Sequence, residues 1–292
     1  MIKVSVVTDE ISSDLETALE IATSWGMKNV ELRGVGNQRV GSLSPYWEDH
    51  LLKMVRNFGV KVVALSPGLF KIPLPRPVFE GYTVLKWQDE VEFYHAEEEK
   101  KTAEWHLYEL LPKTIELAKK LGVPNILVFS FKKPEGATDG NCPPLVVDYL
   151  KKAVKLAEEA EITLVLENEH ICWGDTAENV RALIEKVGSK NLKLNWDPGN
   201  SYFAHEIPYP DGYRVIKDIV GHVHFKDAVT DKKTGAMQYV VQGEINWENQ
   251  LKDLKENGYN GFISIETHCR PKIESAHKTL DRIVSILGNE VL

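Results

Sequence analysis

Thr163-Leu-Val-Leu-Glu167-Asn-Glu-His170 passes in one step from a strand-forming run to a cluster of chemically active groups. The apolar half reads as a buried strand. Glu-Asn-Glu-His then places groups able to bind a cation or move a proton at the strand's carboxyl end, a rigid mount. The transition recurs three times downstream. Leu192-Lys-Leu-Asn-Trp196 runs into Asp197-Pro-Gly-Asn200, Gly221-His-Val-His224 into Phe-Lys226-Asp227, and Phe262-Ile-Ser-Ile265 into Glu266-Thr-His268. Glu167, Asp197, His224 and Glu266 are separated by 30, 27 and 42 residues, room for one βα unit each and a longer last loop. If the strands are parallel neighbours, all four side chains can converge on one point.

The rest of the chain keeps the same rhythm. A first strand over Lys3–Thr8 leads to a helix capped by Ser13 or Asp14, burying Leu15, Leu19, Ile21 and Ala22. Strands follow at Asn29–Leu32, Val60–Leu65 and Asn125–Phe129, then Ile162–Leu166, Leu192–Trp196, Gly221–Phe225 and Gly261–Ile265, with helical patterns between them. Eight alternating units predict an α/β fold, a closed (β/α)8 TIM barrel forming a single domain over 1–292. Residues 67–102 break the rhythm. Pro67-Gly-Leu-Phe-Lys-Ile-Pro-Leu-Pro-Arg-Pro77 is too proline-dense for strand or helix and reads as an insertion after strand 3, an active-site cover or an oligomer contact.

Composition narrows the function classes. The 292 residues are 43% hydrophobic and 9% aromatic, enough for one large core. The opening Met1-Ile-Lys-Val-Ser-Val-Val lacks the features of a signal peptide, and no apolar run reaches membrane-spanning length. Cys142, Cys172 and Cys269 are odd in number and widely spaced, which predicts a reduced cytoplasmic protein. Cys172 and Cys269 lack thiolate-ligand spacing and read as buried small hydrophobes. Net charge is −8, and the one dense charge run, Glu97–Lys101, is mixed, so neither nucleic acid nor membrane is expected as a partner. Self-association as a homo-oligomer stays open.

Three carboxylates converging on one point carry about −3, and so close together they stay ionised only around a positive charge. Two Glu, one Asp and one His offer three hard oxygens and one imidazole nitrogen, a donor set for one divalent ion: Mn²⁺, Co²⁺, Mg²⁺ or Zn²⁺. Any one of these residues alone would read as an ordinary polar strand end. All four together, at the ends of consecutive strands, point to a shared site.

Glu167-Asn168, Trp196-Asp197-Pro-Gly-Asn200, Gly221-His-Val-His224-Phe-Lys-Asp227, Gly243-Glu244-Ile-Asn-Trp247 and Ile265-Glu266-Thr together resemble the xylose isomerase-like TIM barrel superfamily of sugar isomerases and epimerases. That superfamily includes ketose 3-epimerases, hydroxypyruvate isomerase, inosose dehydratase and, more distantly, endonuclease IV. Thr8-Asp-Glu-Ile-Ser12 and Val30-Glu-Leu-Arg33 are in its style, so the likeness covers nearly the whole chain. The resemblance implies that Glu167, Asp197, His224 and Glu266 bind one metal ion. It also implies that Glu167 and Glu266 are catalytic and face each other across a small polyhydroxy ketone, moving a proton through a metal-stabilised enediolate. Isomerase or epimerase is the first reading and an inosose-dehydratase-like lyase the alternative. A non-catalytic sugar-binding barrel and a zinc nuclease rank below them.

Lys226, His170, Asn200, His222 and Arg270 are the candidate substrate contacts. His222 also fits packing within the barrel, and Lys226 a salt bridge to Asp227. Asn200 and Thr230 stand where ketose 3-epimerases usually carry His and Arg, and Glu169-His170 replaces the His-Gly of inosose-type relatives, so substrate preference does not carry over. Glu244 reads as a structural hydrogen bonder. Trp173 and Phe70 are candidates for stacking on a sugar ring, whereas Trp196 suits the core better.

Overall fold

A computed structural model describes residues 1–74, 102–134, 136–137 and 142–292. Eight parallel strands among them close into a barrel: β1 Lys3–Val7, β2 Asn29–Leu32, β3 Lys61–Leu69, β4 Asn125–Val128, β5 Thr163–Glu167, β6 Leu192–Trp196, β7 Val220–Phe225 and β8 Phe262–Ile265. Each strand hydrogen-bonds to its neighbours in sequence, and β1 pairs with β8 to seal the ring. Helices α1 Leu15–Ser24, α2 Pro45–Phe58, α3 Leu111–Leu121, α4 Pro144–Glu159, α5 Ala177–Val187, α6 Pro198–Phe203, α7 Trp247–Glu256 and α8 Lys272–Leu287 alternate with the strands. None among the described residues is long and apolar enough to cross a membrane.

The local signals act as expected at most boundaries. Asp14 caps α1 by accepting from the Thr17 N–H at 2.9 Å, and Thr176 caps α5 through Asn179. Pro45 starts α2, and Gly59, Gly122 and Gly188, all at positive φ, end α2, α3 and α5. Ile21 is only partly buried.

Strand parity decides what faces the barrel interior. Leu164 and Leu166 of β5, Leu192, Leu194 and Trp196 of β6, Val223 and Phe225 of β7, and Ile263 and Ile265 of β8 all join the large cluster that includes the helices' apolar faces. Successive strand residues point to opposite faces. The alternate residues Val165 and Glu167, Asn195 and Asp197, His222, His224 and Lys226, and Ser264 and Glu266 therefore line the barrel's inside. Val165 accordingly packs apart from that cluster, with Ala64 and Leu127. By the same parity Val30 and Leu32 of β2 face outward, and Glu31 and Arg33 inward.

Three expectations change. β3 continues through Pro67 and Gly68 to Leu69 instead of stopping at Leu65. The register shifts between Leu65 and Leu69, and an irregularity of that kind is where a strand accommodates a residue with no N–H to donate. Two elements were not expected: helix α6, and the antiparallel hairpin of Asp227–Thr230 with Met237–Val240. Most of the segment read as a cover, residues 75–101, lies outside the described residues.

Candidate metal and active site

Glu167, Asp197, His224 and Glu266 are all buried, and one ligand atom from each lies within 4.8 Å of the others. β5 to β8 deliver them to one mouth of the barrel, as parity and parallel pairing require. His224 Nδ1 is 3.1 Å from Glu266 Oε2, 3.6 Å from Glu167 Oε2 and 3.9 Å from Asp197 Oδ2. Ligands bonded to one ion at about 2.0–2.2 Å stand at comparable separations.

The neighbours leave the right atoms over. Asp197 Oδ1 caps α6 by accepting from the Asn200 N–H at 2.9 Å. Glu266 Oε1 accepts from Arg33 Nη1. His224 Nε2 faces Glu31 Oε1 at 3.1 Å. The opposite atoms, Asp197 Oδ2, Glu266 Oε2 and His224 Nδ1, are buried and make no hydrogen bond of regular geometry; the two oxygens meet the Lys226 ammonium, and His224 Nδ1 faces Glu266 Oε2. Buried polar atoms in folded proteins rarely lack a hydrogen bond, and three that do so around one point fit a cation. The donor set therefore suits a divalent metal.

Glu167 is held differently. Oε1 accepts from Asn200 Nδ2 at 3.0 Å and Oε2 from Asn195 Nδ2 at 3.2 Å, both neutral amides. Asn168 fastens the ends of β5 and β6 together: its Nδ2 donates to Asp197 O, and its Oδ1 accepts from Asp197 N–H, each at 2.8 Å. These bonds give the Glu167-Asn168 and Asp197-Pro-Gly-Asn200 motifs their geometry.

Charge in the site is unevenly shared. Burial pushes the Asp197 carboxyl up to about 6, the Lys226 ammonium pulling against it and the Glu167 and Glu266 charges adding to it. Glu266 is also desolvated, yet Lys226, His224 and His268 hold it well below the usual carboxylate range. Burial alone would lower His224, but Glu31, Glu266 and Glu167 raise it well above its ordinary value.

The substrate candidates separate. Lys226, 2% exposed, puts Nζ 2.8 Å from Asp197 Oδ2 and 2.7 Å from Glu266 Oε2. The alternative salt bridge to Asp227 is not formed, because Asp227 pairs with Arg282 at 2.6 Å. Asn200 faces Glu167 and accepts from the Tyr239 hydroxyl at 2.9 Å. His170 Nδ1 lies 3.0 Å from Glu169 Oε1, with its ring beside Phe203. His222 is fully buried against Glu31 and Ser264 at 2.9 and 3.0 Å, deeper in the barrel than the four ligands. Arg270 is exposed.

Thr230 bonds with Tyr202 inside the hairpin region at 2.7 Å, and Glu244 accepts from the same tyrosine hydroxyl. Phe70 is buried against Phe131, Trp173 is buried, and Trp196 is buried with its indole N–H on Gln250, so Phe70 and Trp173 are core residues and not exposed stacking surfaces. The cysteines are unpaired: Cys172 is buried, whereas Cys269 is only partly so, with burial pushing its thiol up to about 11.

Two residues escaped the sequence reading. Glu31, fully buried, accepts from both His222 and His224. Arg33 donates to Asp9 at 2.9 Å, to Glu10 at 3.1 Å and to Glu266, which ties β1, β2 and β8 together at the mouth. Their signal was the inward parity of Val30-Glu-Leu-Arg33.

The sequence profile of the xylose isomerase-like TIM barrel family matches residues 19–286, and the chain belongs to that family. Among its relatives is the putative hydroxypyruvate isomerase of Homo sapiens, 27% identical over 175 residues that cover 55% of this chain and 59% of that protein. The inosose dehydratase of Clostridium perfringens is 26% identical over 142 residues, covering 42% of this chain and 46% of that one. The chain thus spans about half the length of the curated relatives it matches. The solved structure of the IolI protein with a bound zinc atom has a TM-score of 0.71 and 17% identity over 99% of both chains, a likeness of fold alone.

Proposed function

We propose that the protein is a divalent-metal-dependent isomerase or epimerase of a small polyhydroxy ketone, with Glu167 and Glu266 as its proton-transfer pair. The observation that carries this reading is the four-ligand cluster at the ends of β5–β8, with three buried donor atoms that make no regular hydrogen bond turned to one point. A bound divalent ion would supply Lewis-acid polarisation of a substrate carbonyl, worth several kcal/mol. Glu167, whose hydrogen bonds come from the neutral amides of Asn195 and Asn200, takes the proton from the carbon beside that carbonyl. Its return to the neighbouring carbon gives isomerisation, and delivery from the Glu266 side gives inversion. Loss of a β-hydroxyl after the same first step would make the enzyme a lyase, the activity named for one relative.

Manganese, zinc, cobalt and magnesium all fit the donors. Three free cysteines are in keeping with a reducing cytoplasm. The test is incubation of metal-loaded protein with ketoses and inososes in D₂O. Deuterium appearing beside the carbonyl of at least one compound is the expected result, and its absence from all, with no turnover, overturns the reading.

Glu31 has a checkable share in this site. A carboxylate on the far nitrogen of a ligating imidazole fixes its tautomer and orientation, and losing it costs about 10- to 100-fold in metal affinity. Glu31→Gln is expected to weaken metal binding by that amount in competition with a chelating dye. Unchanged affinity would show that His224 needs no such brace.

A further inference from the structure

The proposed metal cluster already has a cation of its own. Lys226 Nζ contacts Asp197 Oδ2 at 2.8 Å and Glu266 Oε2 at 2.7 Å, the same two oxygens that are otherwise left free for a metal. Its side chain lies in a shaped slot. At Gly199, where α6 begins, a Cβ would stand 2.9 Å from Lys226 Cβ and 2.8 Å from Cγ, so only glycine lets the lysine stem lie there. The Tyr239 ring covers the ammonium at 5.3 Å, and the Trp247 indole N–H anchors the Lys226 carbonyl at 3.1 Å. Of the other described cations nearby, Arg33 pairs with Asp9, Glu10 and Glu266 Oε1 and Lys71 with Glu169 at 2.7 Å, while the His224 ring lies 3.1 Å from Glu266 Oε2 but 3.9 Å from Asp197 Oδ2.

We infer that Lys226 is a built-in competitor of the metal. Its ammonium neutralises Asp197 and Glu266 when no ion is bound, and must give up Oδ2 and Oε2 when one enters. Two cations cannot both lie within bonding distance of the same pair of oxygens without strong mutual repulsion. Lys226 therefore sets the metal affinity below what the four ligands alone would give. Its release on metal entry turns three N–H donors toward the space where a substrate oxygen would bind. The inference rests on the metal reading proposed above.

The experiment compares wild type, Lys226→Met and Lys226→Arg, each stripped by chelation and titrated with Mn²⁺ or Zn²⁺ alone, following affinity and melting temperature. Lys226→Met is expected to bind metal at least about tenfold more tightly than wild type, about 1.4 kcal/mol. Its stripped form should melt below stripped wild type, because buried Asp197 loses its ion-pair partner and Glu266 one of its own, while the loaded forms melt together. Lys226→Arg, which keeps the charge, should bind like wild type. Equal or weaker binding by Lys226→Met, with wild type binding normally, overturns the role of the lysine alone. No binding by any of the three overturns the metal reading and this inference with it. Should Lys226→Met fail to fold, the buried ammonium's ¹H–¹⁵N signal in wild type serves instead. It should shift and lose protection on metal titration, and an unmoved signal contradicts the inference.

Discussion

Glu167→Gln is expected to reduce turnover on a responsive ketose by roughly 10²- to 10⁴-fold, the range a positioned general base contributes. The substitution keeps size and hydrogen-bonding capacity while removing the ability to take a proton. The site tolerates it structurally. The new amide N–H₂ replaces an acceptor facing Asn195, and Asn195 Oδ1 is buried without a partner, so turning that amide over restores a bond. Asp197, His224 and Glu266 remain as donors, so metal weakens but is not abolished. The measurement is turnover and deuterium exchange per metal-loaded site. Exchange near the wild-type rate in metal-loaded Glu167→Gln would remove Glu167 from the proton path.

Arg33→Met carries the largest expected effect on stability. Arg33 is the common partner of Asp9, Glu10 and Glu266, whose side chains are at most 8% exposed. Removing one partner of a buried ionic cluster costs about 3–5 kcal/mol, because the remaining charges stay buried and face each other. For a chain of this size the melting temperature should fall by on the order of 10 °C. Acid sensitivity should change as well. Burial alone would raise Glu10, but His268 and Arg33 lower it far below its unfolded value of 4.5. A depressed folded pKa adds stability that is present above 4.5 and drains away as the pH falls toward the folded value. Arg33→Met should therefore lose less stability than wild type between about pH 5 and pH 3. Equal melting temperatures at pH 7 would show that the cluster contributes nothing.

The barrel was legible because its period is carried by residues that do little else. Strands of Val, Leu and Ile ending abruptly in Glu167, Asp197, His224 and Glu266 mark both the fold and the site face. Glu31 and Arg33 were harder to assign, since β2 is only four residues long and a charged residue inside so short a run resembles a surface strand. Reading parity from Val30 and Leu32 would have turned both inward. The short helix α6 and the hairpin that carries Tyr239 do have local signals, Asp197 as a cap before Pro198 and the Asp231 turn that bonds Lys233 and Thr234, but what places them over the site is contact distant in sequence, such as Tyr239 with Asn200. Pro67 misled because a proline ends a regular ladder but not an irregular one. His222 and Lys226 each admitted two partners from sequence, and only the barrel's depth showed that one sits below the ligands and the other among them.

The proposed chemistry depends on a single metal ion held by Glu167, Asp197, His224 and Glu266. Its most direct test is elemental analysis after dialysis against excess Mn²⁺ or Zn²⁺, on wild type and Asp197→Ala side by side. One divalent ion per wild-type chain, and markedly less in Asp197→Ala, is the predicted result. No ion in wild type, about three zinc ions per chain, or full occupancy in Asp197→Ala would contradict it.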